Sequence, residues 1–477
     1  MTAEPVPLGT KLSYGLGAIA YGIKDNGYSV FLLLFYNQVV GLPAGTVGSV
    51  IALALIFDAL IDPLIGHLSD RTHTRWGRRH PWLYASAVPI ALTWAMLWHP
   101  PQGTPQMVLG YLLIVAICTR AALATNEVPS LAMAPEMTRD YHERTLVLRY
   151  RYLFGWAGGL AMLMAAYGYF LAPPHGAQTG PLARAGYGAY GITGAVVMAL
   201  TVLVSAWGTH KRLAHPPARR IETKPLSETA RDMRETLSNR AFLLLMLAGL
   251  FGYTNQGIGF AISNYNLGFV WQLAPVQFLI YSVALFAGVF MIFVSVGPIA
   301  HTLGKKQAAA LLSVLAGLIN MTPYVLRLFG VFPQAGTPQL LPAFLVFVTV
   351  GTACSVGGMI LGGSMMSDVV EASEERTGRR EEGLFFAGAL FMQKCSGGLG
   401  IFVTGMILSA AQFPANARPG AVPESILDHY TGLFIAVTIA LAAATAVTFL
   451  RFPFGREEHE ARLAKLAVAS AQNPRNP

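Results

Sequence analysis

Charge is scarce in this 477-residue sequence: Asp, Glu, Lys and Arg together make up 12% of it, about half the share of a soluble globular protein. So few charges cannot clothe a water-soluble particle of this size, and most of the surface must face lipid. Cysteine is nearly absent as well. Cys118, Cys354 and Cys395 stand far apart in apolar runs, which excludes a disulfide scaffold. No CxxC or HExxH spacing occurs, so no metal site of the usual kinds and no cofactor are expected. A GxSxG turn is missing too, and His67, His73 and His80 are spaced as loop residues rather than as a ligand set. With neither nucleophile nor metal site, the chain does not read as a membrane enzyme.

Apolar residues, by contrast, reach 54%, and the mean hydropathy is +0.49. Reading for runs of about 20 apolar residues gives twelve, near 12–36, 46–68, 81–98, 106–134, 147–172, 187–208, 241–265, 275–299, 306–329, 338–368, 383–411 and 428–452. The expected fold is an all-α polytopic membrane protein. The first run is not a cleavable signal, because Lys24 and Asp25 stand in its middle.

Basic residues crowd the links after the even-numbered runs: Arg71, Arg75, Arg78 and Arg79; Arg139, Arg144 and Arg149; Lys211 through Arg240; Lys305 and Lys306; Arg376, Arg379 and Arg380. The positive-inside rule then places both termini in the cytoplasm. The formal charge of +9 is thus topology signal and lipid headgroup contact rather than a nucleic-acid surface, since these arginines are scattered and lack interleaved aromatics. The longest polar stretch, 209–240, halves the chain into bundles 1–208 and 241–455, with a cytoplasmic tail at 456–477. Glycines recur within the runs, as at Gly155, Gly158 and Gly159 or Gly397, Gly398 and Gly400, where small residues let helices approach closely or bend.

The two halves carry a shared mark. Gly66-His67-Leu68-Ser69-Asp70-Arg71 with Arg75-Trp76-Gly77-Arg78-Arg79 follows the second run, and Gly297-Pro298 with Gly304-Lys305-Lys306 follows the eighth. Matching glycine-then-basic turns argue for two related six-span halves, as in many secondary transporters. Asp70 at a helix end is suited to latch onto loop arginines.

Asp58-Ala59-Leu60-Ile61-Asp62-Pro63-Leu64-Ile65-Gly66, then Asp70 through Trp82 (DRTHTRWGRRHPW), resembles the glycoside–pentoside–hexuronide:cation symporters. These form the melibiose-permease branch of the major facilitator superfamily. Weaker matches run along most of the chain: Lys24-Asp25, Glu127-Val128-Pro129, Arg151, Asp368 and Lys394. The resemblance implies twelve transmembrane helices in two six-helix bundles around a central cavity, rocking to alternate access. It also implies cation-coupled symport of a sugar, glycoside or uronide by a monomer in a bacterial inner membrane, with lipids and a small solute as its partners.

Independently of family, Asp25, Asp58, Asp62, Glu127 and Lys394 lie deep in apolar runs, with Lys24, Arg120 and Arg151 beside them. Each charge costs about 2.5–3.5 kcal/mol at the bilayer centre, so they must face a hydrated interior and neutralise one another. Asp58 and Asp62 project from one helix face. At about 6 Å and an effective dielectric of about 20 they repel by about 2.8 kcal/mol, so the pair invites a proton, a metal cation or a lysine. A permanent ion pair with Lys394 is the structural alternative.

The resemblance implies that Asp58 and Asp62 hold the coupling cation with Lys394 nearby, and that Lys24, Asp25, Glu127 and Arg151 bind sugar hydroxyls. Glu127 and Arg120 are also a plausible pair. The chain departs from the pattern in places. Ile61 stands where sodium-coupled members tend to have asparagine, and Ala124-Thr125-Asn126-Glu127 displaces the expected threonine by one position, so Thr125 or Asn126 would have to compensate. Sodium wants several oxygens whereas a proton needs one carboxylate, and the coupling ion stays open between Na+ and H+. Leu131 and Met359 replace expected tryptophans. Other rings, Tyr28, Tyr152, Trp156 and Tyr253, would then supply the sugar platform, or the cargo is a lysolipid or other amphiphile. A cytoplasmic gate is expected from Asp70, Arg75, Arg78, Arg144, Asp368 and Glu371, with Arg75 and Arg144 facing the acidic link after span ten.

Overall fold

The computed structural model describes residues 6–138, 141–172, 180–213, 239–377 and 382–453. Most of the expected linker, the tail at 456–477 and the acidic-basic stretch at 378–381 lie outside them, as does the side chain of Arg144. In lipid every backbone amide must find its partner within the chain, which leaves helices as the available solution for these apolar runs. Among the described residues no strand forms; one isolated bridge joins Thr74 and Gly77 in a turn.

Among the described residues ten helices are long and apolar enough to cross a membrane. They supply span two (Ala44–Arg71), four (Pro105–Met137), five (Tyr141–Ala165), six (Arg184–Leu213), seven (Arg240–Tyr265), eight (Pro275–Leu303), nine (Lys305–Leu328), ten (Leu340–Thr377), eleven (Glu382–Ala410) and twelve (Glu424–Leu450). Span three, His80–Leu97, is shorter at 18 residues. Span one is broken: helix Leu8–Leu16 and helix Ile19–Asn26 pass into wide π turns at Gly27–Leu32 and Phe35–Val39. The protein thus has the twelve crossings of the expected fold.

By packing, the chain divides into two compact units. The first comprises Met1–Glu222, Ile258–Leu279 and Ile401–Leu427, and the second Thr223–Gly257, Ile280–Gly400 and Asp428–Pro477. In the first, spans one and five cross on bare backbone: a methyl group added to Gly22 would meet the Gly155 carbonyl oxygen at 2.0 Å. The second repeats the device between spans seven and eleven, where a methyl on Gly400 would lie 2.6 Å from the Thr254 carbonyl oxygen. Glycine is required at both crossings because a Cβ would force the helices apart. Their recurrence on equivalent spans is the internal repeat written in packing.

The end of the first unit that carries the arginine loops is called the basic end here. At its opposite end a group of neutral polar side chains is buried. The Tyr265 hydroxyl donates to Asn37 Oδ1 at 2.8 Å, and Asn264 Nδ2 donates to the Val30 carbonyl at 2.9 Å. Gln38 ties this patch to the 411–423 loop, donating to the Pro414 carbonyl at 3.0 Å and accepting from the Ala417 amide at 2.9 Å. Tyr265 and Phe269 close over Phe413. The π turn at Phe35–Val39 is what carries Asn37 and Gln38 into the core.

Candidate functional site

The ionisable groups of spans one, two, four and five meet near mid-length of the first unit. Lys24, 4% exposed, lies 3.2 Å from Asp25 Oδ1 and 3.2 Å from Glu127 Oε2. Arg120 Nε lies 3.6 Å from Asp58 Oδ2, both side chains being buried, and its guanidinium sits 4.8 Å above the Tyr28 ring. Arg151, also buried, donates to Ser130 Oγ at 2.7 Å and stands 4.8 Å over the Tyr21 ring. Tyr21 donates to Asn126 Oδ1, and Asn126 Nδ2 donates to Ser86 Oγ at 3.0 Å. A hydrogen-bonded lattice of Ser86, Asn126, Tyr21 and Ser130 therefore backs the Arg151 guanidinium.

Magnitudes separate a structural role from a chemical one. A pair at 3.2 Å attracts by about 5 kcal/mol at an effective dielectric of about 20. Removing each ion from water costs several kcal/mol, so such pairs roughly break even against apolar packing. Stability alone does not account for three buried cations among four carboxylates. Asp25, Asp58, Asp62 and Glu127 against Lys24, Arg120 and Arg151 leave one formal negative charge in the cluster. It attracts one further cation, and its exposed face can bind hydroxyls.

The sequence-derived candidates fall unevenly. Lys24, Asp58, Glu127 and Arg151 share this cluster, while the Asp25 side chain, 70% exposed, opens outward from it. Asp62, one turn beyond Asp58 on the same face, is half-buried. Pro63 and Pro129 remove the helical amide donors to the carbonyls of Ala59 and Thr125, placing two loosened turns beside the acidic pair. The Thr125 hydroxyl donates within its own helix, to the Ala122 carbonyl at 2.6 Å. Lys394 belongs to the second unit, half-buried on span eleven. Glu127 lies against Lys24, and Arg120 has Asp58 at 3.6 Å.

The aromatic platform needs correction too. Tyr28 is 2% exposed, with its hydroxyl on the Ala116 carbonyl and its face under Arg120, so it supports the cluster from inside. Tyr152 and Trp156 are 60% and 59% exposed, on a face of span five turned away from buried Arg151. Helical geometry puts them about 100° and 140° from it. Leu131 is exposed, and Met359 and Tyr253 are half-buried.

At the basic end, Arg79 binds Asp70 and Ser69. Arg78 and Arg79 both reach Glu136 Oε1, at 2.9 and 3.2 Å. The same latch recurs in the second unit, where Lys305 Nζ lies 2.7 and 3.0 Å from the Asp368 carboxylate oxygens. Asp368 thus pairs with the first residue of span nine, and Arg75 stands over the Trp76 ring; Glu371 is exposed. The reading from sequence missed Glu136 and Arg79 as partners. Their signal was positional, since Glu136 ends span four as Asp368 ends span ten. His80, just before the apolar run of span three, is fully buried against Thr209, with the His210 ring 5.2 Å away.

Twelve crossings, a repeated glycine-basic latch and a charged cluster inside one unit define a polytopic membrane transporter. A family model described as "MFS/sugar transport protein" matches residues 13–456, and the chain belongs to that family, the glycoside–pentoside–hexuronide:cation symporter branch of the major facilitator superfamily. Among its relatives, the inner membrane symporter YicJ of Escherichia coli is 25% identical, with 94% of this chain and 92% of that protein covered. The isoprimeverose transporter of Lactiplantibacillus pentosus is 24% identical over 98% and 93%. A glucuronide carrier protein homolog of Escherichia coli is 24% identical over 89% and 88%. The solved structure of the xylose transporter XylE from E. coli aligns with a TM-score of 0.62, 15% identity and coverage of 94% and 98%. A nucleoside transporter NupG variant aligns at 0.65, with 16% identity and coverage of 93% and 99%. Both show likeness of fold alone.

Proposed function

We propose that this transporter carries a sugar, glycoside or uronide together with a cation, Na+ or H+, by alternating access, and performs no chemistry on its cargo. The observation that carries this reading is the gathering of Lys24, Asp58, Glu127 and Arg151 in the interior of the first unit, with Asp25 exposed at its edge. Vicinal hydroxyls suit bidentate carboxylate and guanidinium partners, and Asp25, exposed beside buried Lys24, is placed to offer such a contact. Glu127 and Arg151 lie in the same lattice. Asp58 and Asp62 form the cation site, with Lys394 as the resident cation of the other half and Thr125 as an accessory oxygen. The relatives named for isoprimeverose and glucuronide support the substrate class.

In this reading residues 1–208 and 241–455 are the two rocking halves, joined by a linker at 209–240. Both termini face the cytoplasm of a bacterial cell, the protein works as a monomer in the inner membrane, and no cofactor is needed. Asp70, Arg78, Asp368 and their partners gate the cytoplasmic side. The test is a thermal-shift screen of sugars, glycosides, uronates and lysolipids, each with and without sodium at two pH values, since a ligand stabilises according to its concentration relative to Kd. A sugar-class ligand should raise Tm. The hit should then be taken up into proteoliposomes down a cation gradient, and Asp62→Asn should abolish that dependence. A lysolipid as sole hit, or gradient-driven uptake unchanged in Asp62→Asn, overturns the reading.

A further inference from the structure

Arg120 is the buried charge that the symport reading does not use. Its side chain is 7% exposed at mid-length of span four, and Asp58, 4% exposed, is its counter-ion at 3.6 Å. Two further contacts hold it there. The guanidinium carbon stands 4.8 Å over the centre of the Tyr28 ring, and Tyr28 is itself pinned by its hydrogen bond to the Ala116 carbonyl at 3.1 Å, one turn before Arg120 on the same span. An arginine clamped by a ring and a carboxylate keeps its charge at every relevant pH and loses little freedom in the pair.

A metal cation at Asp58 would need several oxygens at short range and an open approach to the carboxylate. The guanidinium takes that approach. The neighbouring positions supply few neutral oxygens in exchange: Ile61 and Ala124 have none in their side chains, Thr125 directs its hydroxyl proton to Ala122, and Asn126 is engaged by Tyr21 and Ser86. The remaining charged groups of the cluster, Lys24, Asp25, Asp62, Glu127 and Arg151, lie on the spans that pack around it.

We infer that Arg120 is a built-in cation that occupies Asp58 and denies it to sodium, making it the residue that decides which coupling ion the carrier accepts. A proton, which needs one oxygen and no coordination shell, is the ion this leaves. The inference rests on the cation-coupled reading above. Its test uses no sugar, so it can fail while that reading stands.

The full chain, purified in detergent, is melted in about 100 mM sodium chloride and in equal choline chloride, and saturable binding of radioactive sodium is measured alongside. The wild type should melt at the same temperature in both salts and bind no sodium. Arg120→Gln, purified in sodium so that Asp58 stays compensated, should lose several degrees of Tm on exchange into choline and should bind sodium saturably. Adding Asp58→Asn should abolish both effects. Arg120→Lys keeps a cation beside Asp58 and should be as indifferent to sodium as the wild type; it decides the matter if Arg120→Gln cannot be isolated. Saturable sodium binding by the wild type or by Arg120→Lys, or a folded Arg120→Gln blind to sodium, overturns the inference.

Discussion

The middle and the far end of the first unit handle buried polarity in opposite ways. At mid-length, Lys24, Arg120 and Arg151 are buried among carboxylates that outnumber them by one. At the end opposite the basic loops, Asn37, Gln38, Asn264 and Tyr265 are neutral and bond to one another and to backbone carbonyls. Amides and hydroxyls tolerate burial once bonded, and cost little to separate if water can follow. Ions held one charge short of balance respond to whatever charge arrives. The contrast assigns sealing to the neutral patch and sensing to the charged one.

The largest break in that contrast should come from Asp58→Ala, which leaves Arg120 buried without its counter-ion. A loss of about 3–5 kcal/mol is expected, read as a fall in Tm, and most of it should return in Asp58→Ala/Arg120→Met, which removes both charges. Full loss in the double variant would mean that the pair acts through shape rather than charge.

At the far end, Tyr265→Phe deletes one hydroxyl and leaves Asn37 Oδ1 with Gln38 Nε2 as its donor, with an expected loss of about 0.5–1.5 kcal/mol by thermal unfolding. The smallest effect belongs to the second unit's latch. Lys305 is partly exposed, so Lys305→Ala should cost about 1 kcal/mol or less. Arg79→Ala should cost more, because Arg79 is buried and holds Ser69, Asp70 and Glu136 at once. Equal losses would remove the distinction between the two latches.

The crossings were legible from hydropathy because a bilayer demands about 20 apolar residues whatever the packing. The ionic residues were legible because each is expensive where it stands. Their partners were not. A helix apolar on all sides carries no stripe that sets its rotation, so nothing in the sequence distinguished Glu127 on Lys24 from Glu127 on Arg120. The same blindness put Tyr152 and Trp156 beside Arg151. Span one read as one continuous run, yet Gly17, Gly27 and the π turns divide it, since hydropathy counts residues and not hydrogen-bond registers.

Where Gly22 touches the Gly155 carbonyl, no flexible side chain cushions the joint. Lys24 stands two residues from it on one helix and Arg151 four residues from it on the other. Their separation is therefore gauged by bare peptide against bare peptide, as two jaws are set by a hinge pin. Any bulk inserted at the pin would spread Lys24 and Arg151 apart before it unfolded anything.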